Sequence, residues 1–142
     1  MITNHDVLEL LSVAVQSGRD VRIPVSGRSM GPAFGSVCEV VVRPVVPSCL
    51  TLGAIIVFQR NDQWIVHRIM WKRRGQFILK GDGLRQLDQP RVMLTEIKGL
   101  VVGLVLEDGT TVNLCSVRAR VRGVLRVVRG WIGLLLASDA IR

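Results

Sequence analysis

The sequence predicts a mainly β domain with one helix at each end. Short segments rich in Val, Ile and Leu alternate with turn signals through the middle of the chain, and such residues favour strands. Aromatic residues are few (three Trp, three Phe and no Tyr), so the core must rest on aliphatic side chains. Apolar residues repeat at helical spacing only near the two ends.

The first helix is expected over residues 4–17. Its apolar residues recur at helical spacing, Asn4 or Asp6 can cap its start, and Gly18 can end it. The alternating segment 21–26 predicts the first strand, and a loop rich in Gly and Ser follows.

The central strands are separated by short turn signals. Segments 61–63 and 107–110 each join two β-rich stretches and predict hairpins. Gly99 and Gly103 lie inside the longest strand and indicate bulges. Strands are expected over residues 37–44, 54–60, 64–71, 76–80, 95–106 and 111–114.

The helical period returns over about residues 116–141. Four arginines spaced by four, four and three residues fall on one face of this helix, with Val, Leu and Trp on the other side. Three interpretations remain open: the helix packs on its own domain, lies on an anionic membrane, or docks a partner. The arginines are Arg118, Arg122, Arg126 and Arg129.

Length and charge set the broad class. The 142 residues fit a single domain over 1–142, with its core at about 21–115. The net charge of +8 permits binding to nucleic acid, anionic lipid or an acidic partner without choosing among them. No apolar run approaches the roughly 20 residues of a membrane span, and the N-terminus lacks the order of an export signal.

Cysteine usage is typical of a reducing compartment. Cys38, Cys49 and Cys115 are odd in number, form no CxxC pair and show no metal-ligand spacing. We interpret them as reduced core thiols. A cytoplasmic location, or a peripheral one at a membrane surface, is expected, with no metal and no cofactor.

Two residues of the central region suit nucleophilic chemistry. Ser29 lies in the Gly-flanked segment 27–32, where a turn exposes a hydroxyl beside free backbone N–H groups. His67 shares a strand face with Ile65 and Ile69, where it is either a satisfied core residue or a base directed into a site. Taken alone, each residue is more often structural.

Two aspartates follow His67 along the chain. Asp82 and Asp88 lie in a loop after a predicted strand, and Asp82 also belongs to a Gly-Asp-Gly turn signal. A carboxylate on the second nitrogen of a general-base histidine fixes its tautomer and stabilises the imidazolium. Either aspartate can fill that position.

The joint pattern is similar to a known family. Ser-Met-x-Pro from Ser29, Val-His-Arg around His67, Lys-Gly-Asp ending at Asp82, and Asp88 six residues later resemble the type I signal peptidase superfamily. The similarity is to the branch of the endoplasmic reticulum, archaea and some spore-forming bacteria, which uses histidine where the main bacterial branch uses lysine. It covers about residues 21–105 and implies a fold of the signal-peptidase and LexA type.

The resemblance implies a set of catalytic roles. Ser29 matches the nucleophile, His67 the general base, and Asp82 and Asp88 the acidic residues, without deciding which one orients His67. Many relatives read Ser-Gly-Ser-Met at this point, whereas here Arg28 intervenes in Ser26-Gly27-Arg28-Ser29, so we leave Ser26 out of the catalytic set. The backbone N–H of Ser29 is then the expected oxyanion donor.

The implied function is a serine endopeptidase that cleaves a leader, signal or propeptide. Its partner is a peptide or protein substrate, and nucleic acid is not expected. One alternative is a LexA-type self-cleaving domain, but no Ala-Gly or Cys-Gly precedes Ser29. The other is an inactive peptide-binding module of the same fold, against which the joint presence of the four site residues argues.

Overall fold

The computed structural model describes residues 3–25 and 30–139 of the chain. They form a mainly antiparallel β-sheet with an α-helix before it and another after it, which confirms the mainly β class. The elements are α1 (Asn4–Ser17), β1 (Val21–Pro24), β2 (Val37–Arg43), β3 (Ile55–Arg60), β4 (Gln63–Arg73), β5 (Gln76–Lys80), β6 (Val92–Met93), β7 (Ile97–Leu106), β8 (Thr111–Asn113) and α2 (Val117–Asp139).

Helix α1 begins and ends with specific caps. Its N-cap is Thr3, not Asn4 or Asp6: the Thr3 hydroxyl accepts from the Asp6 N–H at 3.2 Å. The Asp6 carboxylate in turn accepts from the Thr3 backbone N–H at 2.7 Å, which closes a capping box. Gly18, at φ +65°, ends the helix as predicted.

The strands follow the order β1-β2-β7-β3-β4-β5-β6, with β8 paired to β7. Two-residue turns join β3 to β4 and β4 to β5. Asn61 and Asp62 have φ of 52° and 59°, and Arg74 and Gly75 have φ of 50° and 73°. Positive φ at both central residues is the signature of type I′ hairpin turns, so the predicted hairpin after β3 is confirmed.

Strand β7 is bulged beside both of its glycines. Against β3, the pairs Val57–Gly99 and Phe58–Ile97 leave Lys98 as the extra residue. Against β2, pairing moves from Gly103 directly to Val101 and leaves out Val102. The bulges predicted from Gly99 and Gly103 are therefore confirmed.

The sheet carries a core on each of its faces. The first core gathers α1 with side chains of β1, β2 and β7, and β3 contributes Ile55 and Val57 to it. The second core contains Ile56 and Phe58, the alternate residues of β3, together with side chains of β4 and β5. Alternation along β3 thus divides its side chains between two cores.

The cysteines are not all core residues. Cys49 and Cys115 are exposed, and Cys38 is half-buried with its thiol 3.4 Å from the Val105 carbonyl. The interpretation as core thiols is therefore wrong for Cys49 and Cys115. Both lie in connections between elements, which run over the protein surface.

Helix α2 packs on the sheet through small residues. Gly123 lies against Gly53, where a Cβ at position 123 would stand 2.8 Å from the Gly53 carbonyl oxygen. Two turns further on, a Cβ at Gly130 would stand 2.5 Å from Met70 Cε, and the Trp131 indole N–H donates to the Met70 carbonyl at 3.2 Å. In the described part of the chain, neither helix is long and apolar enough to cross a bilayer.

Candidate active site

His67 lies in the middle of β4, on the side of the sheet that carries the second core. It pairs with Ile56 of β3, and its ring centroid lies 6.0 Å from that of Phe58. Only 4% of its side chain is exposed. The predicted face of His67 is confirmed, since Ile65 and Ile69 pack with the same core.

Asp88 is the carboxylate that contacts His67. Its Oδ2 lies 2.5 Å from His67 Nδ1, and its side chain is 18% exposed. The Asp88 backbone N–H donates to the Leu79 carbonyl at 2.8 Å, which holds the loop after β5 against that strand. A carboxylate without a proton only accepts hydrogen bonds, so with Asp88 in that form the contact requires the N–H on His67 Nδ1.

The other ring nitrogen of His67, Nε2, has different surroundings. With the proton on Nδ1, a neutral imidazole has its lone pair on Nε2. This Nε2 is buried, and no residue among 3–25 and 30–139 forms a hydrogen bond with it. A buried polar atom without a partner is costly in a core, so this position of Nε2 calls for an explanation.

Asp82 binds Arg68 instead of His67. The Arg68 guanidinium donates to both Asp82 oxygens, with Nε–Oδ1 at 2.8 Å and Nη2–Oδ2 at 2.7 Å. Arg68 Nη1 also donates to the Gly53 carbonyl at 2.8 Å. Because neighbouring residues of a strand point to opposite faces, His67 and Arg68 select different aspartates.

The residues that follow the predicted nucleophile lie against the Asp82 loop. Ser26 and Ser29 themselves are outside the described residues. Met30 is buried, and its Sδ accepts a weak hydrogen bond from the Asp82 N–H at 3.5 Å. Gly31, at φ +53°, approaches the same loop so closely that a Cβ would stand 2.8 Å from Gly83 Cα.

A cationic cavity of about 410 Å³ adjoins the Asp82 loop. Lys80 is buried at the wall of this cavity, and its ammonium donates to the Gly81 carbonyl at 3.2 Å. Its backbone lies opposite that of Arg68 in the β4–β5 ladder. Since Arg68 engages Asp82, the other basic side chains give the cavity a net positive lining. The charged residues around it are Lys80, Asp82, Arg85, Arg126 and Arg129.

The sequence assigned no function to Arg68 or Lys80. Both belong to the motifs Val-His-Arg and Lys-Gly-Asp, but a cation within an apolar strand, such as Arg68, carries its own signal. A buried guanidinium needs a carboxylate, and Asp82 is the acidic residue that follows the neighbouring strand. That requirement could have separated the two aspartates before the structure was known.

Within residues 3–25 and 30–139, no cluster of three or more His, Cys, Asp or Glu side chains is placed to hold a metal ion. Comparison of the chain with protein-family models, curated proteins and solved structures found no match. The resemblance to signal peptidases stays a prediction carried by the motifs.

Proposed function

We propose that the protein is a serine endopeptidase that cleaves a leader, signal or propeptide, with a fold of the signal-peptidase type. It acts in the cytoplasm or at a membrane surface. One observation carries the proposal: His67 is held by Asp88 through Nδ1, while its buried Nε2 has no partner among the described residues. A general base needs that combination of an oriented ring and an available lone pair.

Ser29 is the nucleophile of the proposed reaction. Its Oγ attacks the peptide carbonyl carbon while His67 Nε2 takes the hydroxyl proton, and the backbone N–H of Ser29 stabilises the oxyanion. The imidazolium then gives this proton to the leaving amine, and an acyl-enzyme ester remains. Water attacks the ester with His67 again as base, which releases the acid and regenerates Ser29.

The two aspartates act differently in this proposal. Asp88 fixes the tautomer of His67 and stabilises the imidazolium while remaining ionised. Asp82 is a positioning residue: its carboxylate binds Arg68, and its backbone N–H contacts Met30, the residue after Ser29. The Asp82 loop thereby fixes the chain immediately after the nucleophile.

The test combines mass spectrometry with three variants. The protein is incubated with a peptide library, and cleavage products are identified by mass. Ser29→Ala should abolish cleavage, and Asp88→Asn should lower kcat by about 10⁴, the loss expected when the tautomer is wrong. Asp62→Asn, in the exposed turn after β3, is the matched control and should cleave like the wild type.

Three results would overturn the proposal. Cleavage that persists in Ser29→Ala would show that Ser29 is not the nucleophile. Cleavage of the protein's own chain on ageing, with no cleavage of added peptides, would identify a self-cleaving domain. A folded protein that neither cleaves the library nor reacts with a fluorophosphonate probe at Ser29 would be a peptide-binding module.

A further inference from the structure

Helix α2 exposes a continuous row of large apolar side chains. Eight of them, which we call the apolar stripe, are between 40% and 78% exposed. They recur at intervals of three and four residues, so they share one side of the helix over about 28 Å at 1.5 Å per residue. The apolar stripe consists of Val117, Val121, Val124, Leu125, Val128, Ile132, Leu135 and Leu136.

The stripe is exposed because a different face of α2 packs on the sheet. Gly123 and Val127 are buried, and Gly130 and Trp131 contact Met70. At about 100° per residue, the stripe lies on the side of the helix away from this packed face. Large exposed apolar patches of this kind mark interaction sites, whereas scattered surface residues do not.

Arginines flank the stripe, and the helix carries no acidic residue before its last position, Asp139. Arg118, Arg122, Arg126 and Arg129 run along one edge of the stripe, and Arg120 lies near the other. Every one of them is exposed. Between residues 117 and 138 the sequence contains no Asp or Glu, so the exposed side of α2 is apolar and uniformly cationic.

We propose that α2 lies in the plane of an anionic membrane surface. The apolar stripe enters the boundary between headgroups and acyl chains, and the flanking arginines contact lipid phosphates. The β domain, packed on the other side of the helix, then faces the aqueous side. This inference does not depend on the peptidase activity.

A second copy of the chain fits the stripe less well than lipid does. Two such stripes packed together would bring one arginine-edged helix against another. No carboxylate within residues 117–138 of either helix could offset the repulsion between the guanidinium groups. An anionic bilayer supplies both an apolar layer and the phosphates that match these arginines.

The test is flotation of the full-length protein with lipid vesicles. We expect binding to vesicles containing phosphatidylglycerol, little binding to phosphatidylcholine alone, and weakening by salt because screening shortens the reach of the arginines. Val121→Gln with Val128→Gln should lower the partition coefficient at least tenfold. Arg118→Gln with Arg122→Gln should lower it about fivefold per arginine.

Matched control variants lie elsewhere on the surface. Val13 and Val15 of α1 are 52% and 56% exposed, close to the 54% and 49% of Val121 and Val128, so their exchange for Gln should leave binding unchanged. Arg73→Gln with Arg74→Gln, two exposed residues at the end of β4 and in the turn after it, is the control for charge. Circular dichroism and thermal unfolding verify that each variant is folded.

Four outcomes would overturn the inference. The first is absence of binding to either kind of vesicle, and the second is equal binding to neutral and anionic vesicles. The third is an equal loss of binding in the α1 control and the stripe variant. The fourth is a dimer, detected by light scattering, that dissociates when Val121 and Val128 are changed, since a second copy would then cover the stripe.

Discussion

Replacing Asp82 by Asn should destabilise the fold far more than the same change at an exposed ion pair. The side chains of Arg68 and Asp82 are only 8% and 7% exposed. Asp82→Asn would leave the guanidinium buried with a neutral amide and the Gly53 carbonyl as acceptors. Removing one partner of a buried pair costs about 3–5 kcal/mol. We expect about 3 kcal/mol, because the amide oxygen can still accept one hydrogen bond.

The control for this change is Asp20→Asn. Asp20 also binds an arginine through two contacts, Arg43 Nε at 3.0 Å and Nη2 at 3.1 Å, but the side chains of Asp20 and Arg43 are 38% and 50% exposed. Exposed pairs contribute about 0–1 kcal/mol. The two variants therefore share their chemistry and differ in burial.

Urea unfolding followed by circular dichroism measures both free energies. A loss of about 3 kcal/mol at Asp82 corresponds to a fall in Tm of roughly 10 °C for a domain of this size. A loss below about 1 kcal/mol at Asp82, equal to that at Asp20, would refute the reasoning. It would show that the Arg68 guanidinium reaches water or another acceptor once the carboxylate is removed.

Two further predictions concern helix packing and acid stability. Gly123→Ala should lower the free energy of unfolding by about 1–3 kcal/mol because its Cβ would meet the Gly53 carbonyl, whereas Gly133→Ala, with nothing within 4 Å, should raise it by up to about 1 kcal/mol in thermal melts. Hydrogen bonds from the backbone N–H and hydroxyl of Thr3 hold the pKa of Asp6 below its ordinary 3.8. The ionised carboxylate therefore stabilises the fold above about pH 4, and this contribution is lost as pH falls through the lower folded-state pKa. In unfolding measured against pH, Asp6→Asn should lack this acid-sensitive part.

Local patterns in the sequence were sufficient to predict most elements and the face of His67. Strand alternation and turn residues depend on near neighbours, so the hairpin after β3 and the bulges of β7 were visible before the structure. The two-residue strand β6 has no such signal. Its pairing with Gln76 and Phe77 depends on where a long loop returns.

The assignment of the two aspartates required three-dimensional information. Asp82 and Asp88 lie in one loop, and spacing alone does not show that Arg68 engages one while His67 engages the other. Which face of α2 packs on the sheet also could not be predicted from the sequence, because it depends on contacts with distant residues. Its large apolar residues suggested the buried face, but the close approach of Gly123 to Gly53 places the small residues against the sheet.

The turn at Asn61 and Asp62 makes this hairpin intolerant of insertion. The closing pair Arg60–Gln63 sets every later pair of the β3–β4 ladder, including Ile56 with His67. One extra residue that shifted this register would turn His67 towards the opposite side of the sheet and bring a neighbour, Val66 or Arg68, opposite Ile56. Surface turns usually accept changes of length. At this turn, however, the length decides the strand register and therefore the side of the sheet on which His67 lies.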